Sequence, residues 1–147
     1  MKYLIDCPRN KSEFEEYYYL RWKILRKPFG KSLGSEKDRL EKESFHIFIK
    51  NEFSKVIAVG RLHLINKKKD AQIRFMAVDR GFQKMGLGTM LLKKLESLAM
   101  ENNINRVLLH ARKAAINFYI KNGYVVEKKS HLLFDEIQHW LMKKEFK

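Results

Sequence analysis

Hydrophobic and polar positions alternate in several short segments of the chain, which is typical of strands that are buried on one face. Polar segments such as 51–54 and 66–70 separate neighbouring strands, as hairpin turns require. A run of apolar residues at 106–110 indicates a more deeply buried strand. In chain order, the predicted strands are 2–7, 45–50, 55–65, 71–79, 106–110, 124–134 and 137–145.

A first helix is predicted after the first strand, because apolar residues recur there at helical spacing. Residues 12–15 (Ser-Glu-Phe-Glu) have the form of a capping box at its start. Pro28 and Gly30 end it. Residues 30–37 are predicted to form a mobile loop, followed by a helical turn at 37–43.

A leucine stripe that begins at Leu87 and ends near Asn102 predicts a second helix, and Gly123 stops a third over 113–122. An antiparallel meander precedes a strand–helix–strand crossover. This order indicates an α/β (α+β) fold with a mixed, mostly antiparallel sheet of six or seven strands, flanked by helices. No repeat or linker divides the chain, so residues 1–147 are predicted to form a single domain.

The composition excludes several classes of protein. With 45% hydrophobic and 33% charged residues, the chain is neither disordered nor of low complexity. Its longest apolar runs, such as 56–59, are far shorter than the about 20 residues of a membrane-spanning helix. The first residues show no apolar segment typical of a secretory signal. Cys7 is the only cysteine, so no intrachain disulfide can form, and a reducing, cytoplasmic location is expected.

The net charge of +14, from 31 basic and 17 acidic side chains, indicates an anionic partner. Nucleic acid, an acidic membrane and a phosphorylated small molecule all satisfy this condition. Most of the basic residues are lysines, which are typical of solvated surfaces. The lysines at 67–69 are best interpreted as a solvated hairpin tip.

Residues 81–88 join a predicted strand to a predicted helix and contain three glycines. Glycine lets the backbone approach a ligand, and free N–H groups at a helix N-terminus bind phosphate. An ordinary tight turn is the alternative. Gly81 and Gly86 have the spacing of a Walker loop, but Lys and Ser or Thr do not follow. A Rossmann fingerprint also fails, because Leu91 stands where a third small residue belongs.

Residues 83–88 (Gln-Lys-Met-Gly-Leu-Gly) fit the pattern Gln/Arg-x-x-Gly-x-Gly/Ala. This pattern resembles the coenzyme A pyrophosphate loop of the GNAT superfamily of N-acetyltransferases. Residues 115–124 (Ala-Ile-Asn-Phe-Tyr-Ile-Lys-Asn-Gly-Tyr) look like the second signature of that family, A-x-x-[FL]-Y-x-K-x-G-[FY]. A looser resemblance connects residues 20–26, 43–46 and 137–143 with the bacterial ElaA-like acetyltransferases.

The resemblance implies a V-shaped opening between the fourth and fifth strands, where acetyl-CoA would bind as acetyl donor. The pantetheine would pair with the backbone of Met76 and Val78, and an N–H near Met76 or Ala77 would stabilise an oxyanion. Arg80 and Lys84 would contact the pyrophosphate. The cofactor-binding residues implied in this way are Met76, Ala77, Val78, Gln83, Lys84, Met85, Gly86, Leu87, Gly88, Thr89, Arg112 and Asn117.

Tyr119 matches the general acid of the family, which protonates the departing thiolate. Packing beside Ala115 and Phe118 on one helix face is the alternative role for this residue. At Arg112 the sequence departs from the family, which often has Asn or Gln there. An arginine can donate but cannot accept a hydrogen bond, so the usual amide contact is in question.

The general base is not marked by any motif, since the strand at 71–79 contains no glutamate. Each candidate histidine has an ordinary structural role as its alternative. His110 and His139 are ranked first, because their strands should border the cleft. The full set of candidate bases is Glu43, His46, His63, His110 and His139.

The resemblance implies an enzyme that transfers acetyl from acetyl-CoA to a primary amine of a small molecule or protein, by direct attack in a ternary complex. A basic nucleic-acid-binding module and a non-catalytic coenzyme A-binding domain are the alternatives. The tyrosines at 17–19 have core spacing and are poor stacking platforms, so no specific nucleic acid is expected. No metal and no membrane are expected either, and a homodimer is left open. The loop at 29–43 and the hairpin at 66–70 are expected to shape the acceptor pocket.

Overall fold

The computed structural model describes residues 2–146. Its helices are α1 (Lys11–Leu25), α2 (Leu87–Glu101) and α3 (Ile116–Lys121). Every predicted strand and helix is found within a few residues of its expected position. The strands are β1 (Leu4–Asp6), β2 (Phe45–Lys50), β3 (Val56–Ile65), β4 (Asp70–Val78), β5 (Arg106–Arg112), β6 (Val125–Leu133) and β7 (Ile137–Glu145).

The strands form a single mixed sheet in the order β1-β2-β3-β4-β5-β7-β6. β1 to β4 form an antiparallel meander, and β7 lies antiparallel between β5 and β6. The crossover through α2 makes β4 and β5 parallel. The predicted fold class, a mostly antiparallel sheet flanked by helices, is therefore confirmed.

Helices cover the two faces of this sheet. The leucine stripe of α2, with Leu91 and Leu95, is fully buried in the larger core cluster. Gly60 of β3 allows α2 to lie this close, because a Cβ there would be 3.0 Å from Leu95 Cδ1. On the other face, Tyr17 and Leu20 of α1 pack in a second cluster with apolar residues of β2, β3 and β4.

The start of α1 differs from the prediction. The N-cap is Asn10, whose side chain accepts a hydrogen bond from the N–H of Glu13 at 2.9 Å. Glu13 Oε1 in turn accepts from the N–H of Arg9 at 2.9 Å. The capping box predicted at 12–15 is thus wrong, because Asn10 makes the equivalent contacts two positions earlier.

The loop predicted at 30–37 contains no regular helix or strand, but it is hydrogen-bonded to α1. Trp22 Nε1 donates to the carbonyl of Lys31 at 2.9 Å, and Arg21 Nη1 donates to that of Glu36 at 3.1 Å. A 3₁₀ turn at Glu41–Glu43 follows, in agreement with the helical turn predicted at 37–43. These contacts hold the segment against α1.

Buried charges lie beneath this segment. Arg21 and Arg61 are fully buried, and each donates to Glu41 Oε2, at 2.8 and 2.9 Å. Arg61 also donates to both carboxylate oxygens of Asp38, at 2.6 and 3.0 Å. Removing one partner would leave a buried charge uncompensated, which costs about 3–5 kcal/mol. We infer that this network sets the position of the 30–43 segment.

Candidate active site

A bulge in β4 lies where the sheet opens. Arg61 pairs with Arg74 and Val59 with Ala77, so Phe75 and Met76 together oppose only Gly60. Phe75 has a φ of 59°, in the left-handed region that bulky residues rarely adopt. The conformation is therefore strained, and the surrounding contacts must compensate for the strain.

Guanidinium groups surround the Phe75 ring. The centroid of the ring lies 4.3 Å from the guanidinium carbon of Arg21, 4.4 Å from Arg74, 4.9 Å from Arg61 and 5.5 Å from Arg26. Cation–π attraction is worth about 0.5–1 kcal/mol for an exposed pair and more when the pair is desolvated. These contacts, together with burial of the ring, fix Phe75 in place.

Beyond the bulge, β4 and β5 separate. Only Ala71 pairs with Val107 and Gln72 with Leu108. Backbone groups of alternate residues point to opposite edges of a strand, and the N–H of Asp79 donates to Ile57 of β3. The backbone groups of Met76 and Val78 therefore face the opening. One of them, the carbonyl of Val78, accepts a hydrogen bond from Gln83 Nε2 at 3.2 Å.

A cavity of about 420 Å³ fills the opening. Its walls come from β4, β5, α3, the end of α1 and the β6–β7 hairpin. Three of the predicted catalytic residues, Tyr119, His110 and His139, lie on this one cavity. The side chains that line it are those of Leu25, Arg26, Phe29, Gln72, Ile73, Arg74, Phe75, Met76, Leu109, His110, Ala111, Arg112, Ala115, Tyr119, His131, Leu133, Ile137 and His139.

Tyr119 reaches from α3 across the opening to β4. Its hydroxyl donates to Met76 Sδ at 3.5 Å, and its ring packs edge-on against Phe118 and Tyr124. Burial raises the pKa of Tyr119 to about 12, although the positive charge of Arg112 opposes the shift. The hydroxyl is consequently protonated at neutral pH and can donate a hydrogen bond or a proton.

The histidines of the cavity form a contiguous group. The rings of His131 and His139 are stacked with centroids 4.5 Å apart, and that of His110 lies edge-on to His131 at 5.1 Å. Burial lowers the pKa of all three, and the charge of Arg74 lowers it further. All three imidazoles are therefore predominantly neutral at pH 7.

His139 is oriented for accepting a proton. Its Nδ1 lies 3.0 Å from the carbonyl of Ile137, so this nitrogen carries the hydrogen, and Nε2 keeps a lone pair. His110 Nδ1 lies 2.8 Å from Ser130 Oγ, a group that can either donate or accept. The tautomer is thus defined for His139 and not for His110.

The other candidate bases lie outside the cavity. His46 is held by the Tyr17 hydroxyl at 2.8 Å and the Glu41 carbonyl at 2.7 Å, so both ring nitrogens have partners. His63 is buried on β3 beside Arg61, and burial followed by the Arg61 charge lowers its pKa to about 4. Glu43 is exposed in its 3₁₀ turn. None of these three residues lines the cavity.

The glycine loop lies at the start of α2. Gly86 is the N-cap with a φ of 80°, and no side chain caps the helix. The first N–H groups of a helix have no partner within it, so those of Leu87, Gly88 and Thr89 are free for an anion. Residues 83–86 are exposed, and a Cβ on Gly86 would meet nothing within 4 Å. The loop thus has the open backbone that a pyrophosphate requires.

The remaining predicted cofactor residues lie in different surroundings. Arg112 lines the cavity at the end of β5. Asn117 is exposed on α3 and does not line it. The Ala77 side chain is buried against the α1 face, and its backbone pairs with Val59 of β3. The opening therefore brings Met76 and Arg112 towards Tyr119, whereas Asn117 lies outside.

The acceptor side of the cavity differs in part from the expectation. Phe29, from the loop predicted to shape the pocket, does line it. The hairpin at 66–70 does not, because it lies at the far end of β4, where Asp70 bonds to Arg106. The β6–β7 hairpin supplies His131 in its place. The sequence contained no signal for this, since the hairpin folds back onto β5 only through non-local strand pairing.

A sheet that splits between two parallel strands, next to a glycine loop and a helix N-terminus, is the architecture of an acyl-CoA-dependent transferase. Residues 7–124 match the Acetyltransferase (GNAT) family. The chain therefore belongs to the GNAT acetyltransferase family, and the resemblance noted in the sequence is confirmed.

Individual relatives agree with this assignment. The chain is 27% identical over 137 residues to the uncharacterised N-acetyltransferase YjcF of Bacillus subtilis, covering 93% of this chain and 96% of the relative. A GNAT family acetyltransferase from Elizabethkingia anophelis, solved with acetyl-CoA bound, has a TM-score of 0.78 at 14% identity over 98% of both chains. Escherichia coli ElaA has a TM-score of 0.73 at 14% identity over 98% of this chain and 99% of its own.

Two further observations concern residues 2–146. Within this range no helix combines the length and the apolar character of a membrane-spanning segment. Nor do these residues bring three or more His, Cys, Asp or Glu side chains into an arrangement suited to a metal ion.

Proposed function

We propose that the protein is an N-acetyltransferase that moves the acetyl group of acetyl-CoA directly to a primary amine of a small molecule or protein, within a ternary complex. The position of Tyr119 carries the proposal, since its hydroxyl lies 3.5 Å from Met76 Sδ across the opening between β4 and β5. The N-acetyltransferase YjcF and the acetyl-CoA-bound Elizabethkingia structure support the same reaction class.

The chain offers acetyl-CoA two kinds of backbone contact. Met76 and Val78 present N–H and C=O groups to the opening, where an amide-bearing pantetheine can add as a strand. Gln83 would have to release the Val78 carbonyl for that contact to form. The pyrophosphate would bind the N–H groups from Lys84 to Thr89, with the Arg80 and Lys84 side chains adding charge.

Three groups of the chain then act on the reacting atoms. His139 Nε2 accepts the proton of the amine, directly or through water, and the nitrogen attacks the thioester carbonyl. The N–H of Met76 stabilises the resulting oxyanion. As the oxyanion collapses and the carbon–sulfur bond breaks, Tyr119 donates its proton to the sulfur. The proton taken from the amine replaces the one that Tyr119 has lost.

Acetyl-CoA binding tests the site in a matched pair of variants. Gly86→Glu places a side chain and a negative charge at the pyrophosphate loop, and we expect acetyl-CoA binding to be abolished in calorimetry. Gly34→Glu is the control, because Gly34 also has a positive φ, of 101°, and open space around its Cβ. Unchanged affinity in a folded Gly86→Glu protein would show that the cofactor site is assigned incorrectly.

Thiol release in the presence of amines separates this proposal from a non-catalytic coenzyme A-binding domain. A nucleic-acid-binding module would show no affinity for acetyl-CoA, and the absence of a specific nucleic-acid partner stays a prediction.

The single cysteine and the coenzyme A substrate fit a reducing compartment, so the cytoplasm remains the proposed location.

A further inference from the structure

The wall of the cavity is positively charged. Among the described residues that line it are three arginines, Arg26, Arg74 and Arg112, and none is an aspartate or glutamate. A site that selects a polycationic amine would need carboxylates to hold the additional ammonium groups. The lining therefore disfavours such acceptors.

Arg26 is the most buried of these three arginines. Its residue is only 7% exposed, its Nε donates to the carbonyl of Ser35 at 3.2 Å, and its Nη1 donates to that of Leu25 at 3.1 Å. No carboxylate in residues 2–146 forms an ion pair with Arg26, and Nη2 makes no hydrogen bond within this range. Glu36 attracts this guanidinium electrostatically but forms no ion pair with it. A buried guanidinium without a contacting counter-ion is unusual, because burying an unpaired charge is costly.

The rings near Arg26 keep it directed at the cavity. Its guanidinium carbon lies 5.2 Å from the centroid of Phe134 and 5.5 Å from that of Phe75. Both the backbone carbonyls and the aromatic rings attract the cation without neutralising it. The position is thus suited to an anion that arrives with a ligand.

Arg74 lies over the same phenylalanine, 4.4 Å from its centroid, and lines the same cavity. Its only carboxylate partner in the described chain is Asp38 at 3.1 Å, which also receives two hydrogen bonds from Arg61. One carboxylate thus serves two arginines. Arg74 and Arg26 together present an excess of positive charge to the cavity.

The phosphates of coenzyme A do not account for this charge. The proposed pyrophosphate site lies at Lys84–Thr89, and no residue of that loop lines the cavity. Arg112 borders the tyrosine and the cofactor side, whereas Arg26 comes from the end of α1, on the acceptor side. Arg26 and Arg74 are therefore available to a different anion.

We propose that the acceptor amine carries an anionic group, a carboxylate or a phosphate, that binds Arg26 and Arg74 while its amine faces Tyr119 and His139. This inference rests on the proposed N-acetyltransferase function and specifies its substrate class. A guanidinium binds either anion through two parallel hydrogen bonds. Polyamines and other polycationic amines are excluded as preferred acceptors, since the wall repels them.

Matched acceptors test the proposal in a thiol-release assay with acetyl-CoA. The pairs are 3-aminopropionate with propylamine and phosphoethanolamine with ethanolamine, and spermidine represents polycations. We expect one anionic member to exceed its neutral partner in kcat/KM by about 10- to 100-fold. A difference in the first pair indicates a carboxylate on the acceptor, and a difference in the second pair indicates a phosphate.

Variants of Arg26 identify the anion contact. Arg26→Gln should raise KM for the anionic acceptor by about 10- to 100-fold, with little change for its neutral partner. Arg26→Lys should recover part of the loss, because it restores the charge but not the planar fork. Arg39→Gln removes an exposed arginine outside the cavity and is the control.

The outcomes separate this inference from the proposed function. Preferred turnover of propylamine, ethanolamine or spermidine, unaffected by Arg26→Gln, would overturn the inference and leave the acetyltransferase standing. If no amine is turned over although acetyl-CoA binds, the proposed function fails. Calorimetry with 3-aminopropionate and phosphoethanolamine then tests whether the anion site exists. If neither compound binds, or if binding does not depend on Arg26, the anion site is refuted.

Discussion

Tyr119 and Tyr124 are neighbouring buried tyrosines whose hydroxyl groups have different partners. The Tyr119 hydroxyl faces the opening and donates to Met76 Sδ, whereas the Tyr124 hydroxyl donates to the buried Glu96 at 2.8 Å. Removing a hydroxyl that donates to a thioether costs the protein little stability. Removing a hydroxyl that donates to a buried carboxylate costs more. The two residues should therefore respond differently to the same substitution.

Tyr119→Phe should lower kcat by about 10²–10⁴-fold, because it removes the proton donor of the leaving sulfur. Stability and acetyl-CoA affinity should change little, since the ring is kept. Tyr124→Phe, the matched control, should cost about 1–3 kcal/mol of stability with kcat retained. Steady-state kinetics and thermal melts check both variants. An unchanged kcat in a folded Tyr119→Phe protein would assign this tyrosine to packing alone.

The protonation of His139 should control the acid side of the pH profile. Because burial lowers its pKa below the ordinary 6.5, the neutral, base form predominates at pH 7. kcat/KM should therefore be level near neutrality and fall as pH decreases through that lowered pKa. The pKa of Tyr119, about 12, predicts no loss of activity from this group below pH 10.

His139→Gln tests this assignment. We expect it to reduce kcat/KM by about 10²–10⁴-fold and to remove the acid limb. His110→Gln is the comparison, and it should keep the limb. If the limb disappears in the His110 variant instead, the base has been assigned to the wrong histidine.

At the scale of elements, the packing of α2 against β3 depends on Gly60. A Cβ at this position would lie 3.0 Å from Leu95 Cδ1 and 3.2 Å from Leu91 Cδ2, both fully buried. Gly60→Ala should thus destabilise the protein by about 1–3 kcal/mol through overpacking. Gly81→Ala is the control, since its Cβ would have Asp79 Oδ1 as nearest atom, at 3.8 Å. Urea unfolding of the two variants gives the comparison, and equal stabilities would contradict the packing argument.

The helices and strands were largely predictable from the sequence, but the bulge in β4 at Phe75 was not. Helical spacing and turn residues are local signals, and they located every helix and strand within a few residues. The bulge at Phe75 has no such signal, because no glycine marks the positive φ. It is imposed by the pairing of β3 with β4 and by arginines from α1, β3 and β4.

At the scale of the whole molecule, histidine burial predicts sensitivity to acid. The pKa of all five histidines is lowered, with burial as the largest cause in each. Below pH 6.5 the unfolded chain therefore binds more protons than the folded one, so stability decreases as pH falls from about 6.5 towards 4. The lowered pKa values of Asp6, Glu13 and Asp38 continue the loss at still lower pH.

His63 should make a large contribution to this loss. Its residue is 6% exposed and its pKa is about 4. Its titration alone should cost about 2 kcal/mol near pH 5. In His63→Asn the side-chain oxygen can still accept from Arg61, but nothing titrates. The difference in melting temperature between pH 7 and pH 5 should therefore be smaller in the variant than in the wild type. An equal difference would show that His63 does not contribute.

By itself, the sequence determined the order of the elements, the family and the positions of Tyr119 and the glycine loop. Each of these is encoded by neighbouring residues: by periodicity, turn chemistry or a short motif. The sequence already ranked His110 and His139 as bordering the cleft, but only the tertiary structure decided which other side chains share the cavity. Arg26, Arg74 and His131 come from three different elements, and strand pairing together with the packing of α1 on the sheet brings them together. Such contacts depend on distant partners, and burial then sets the charge and protonation of each group.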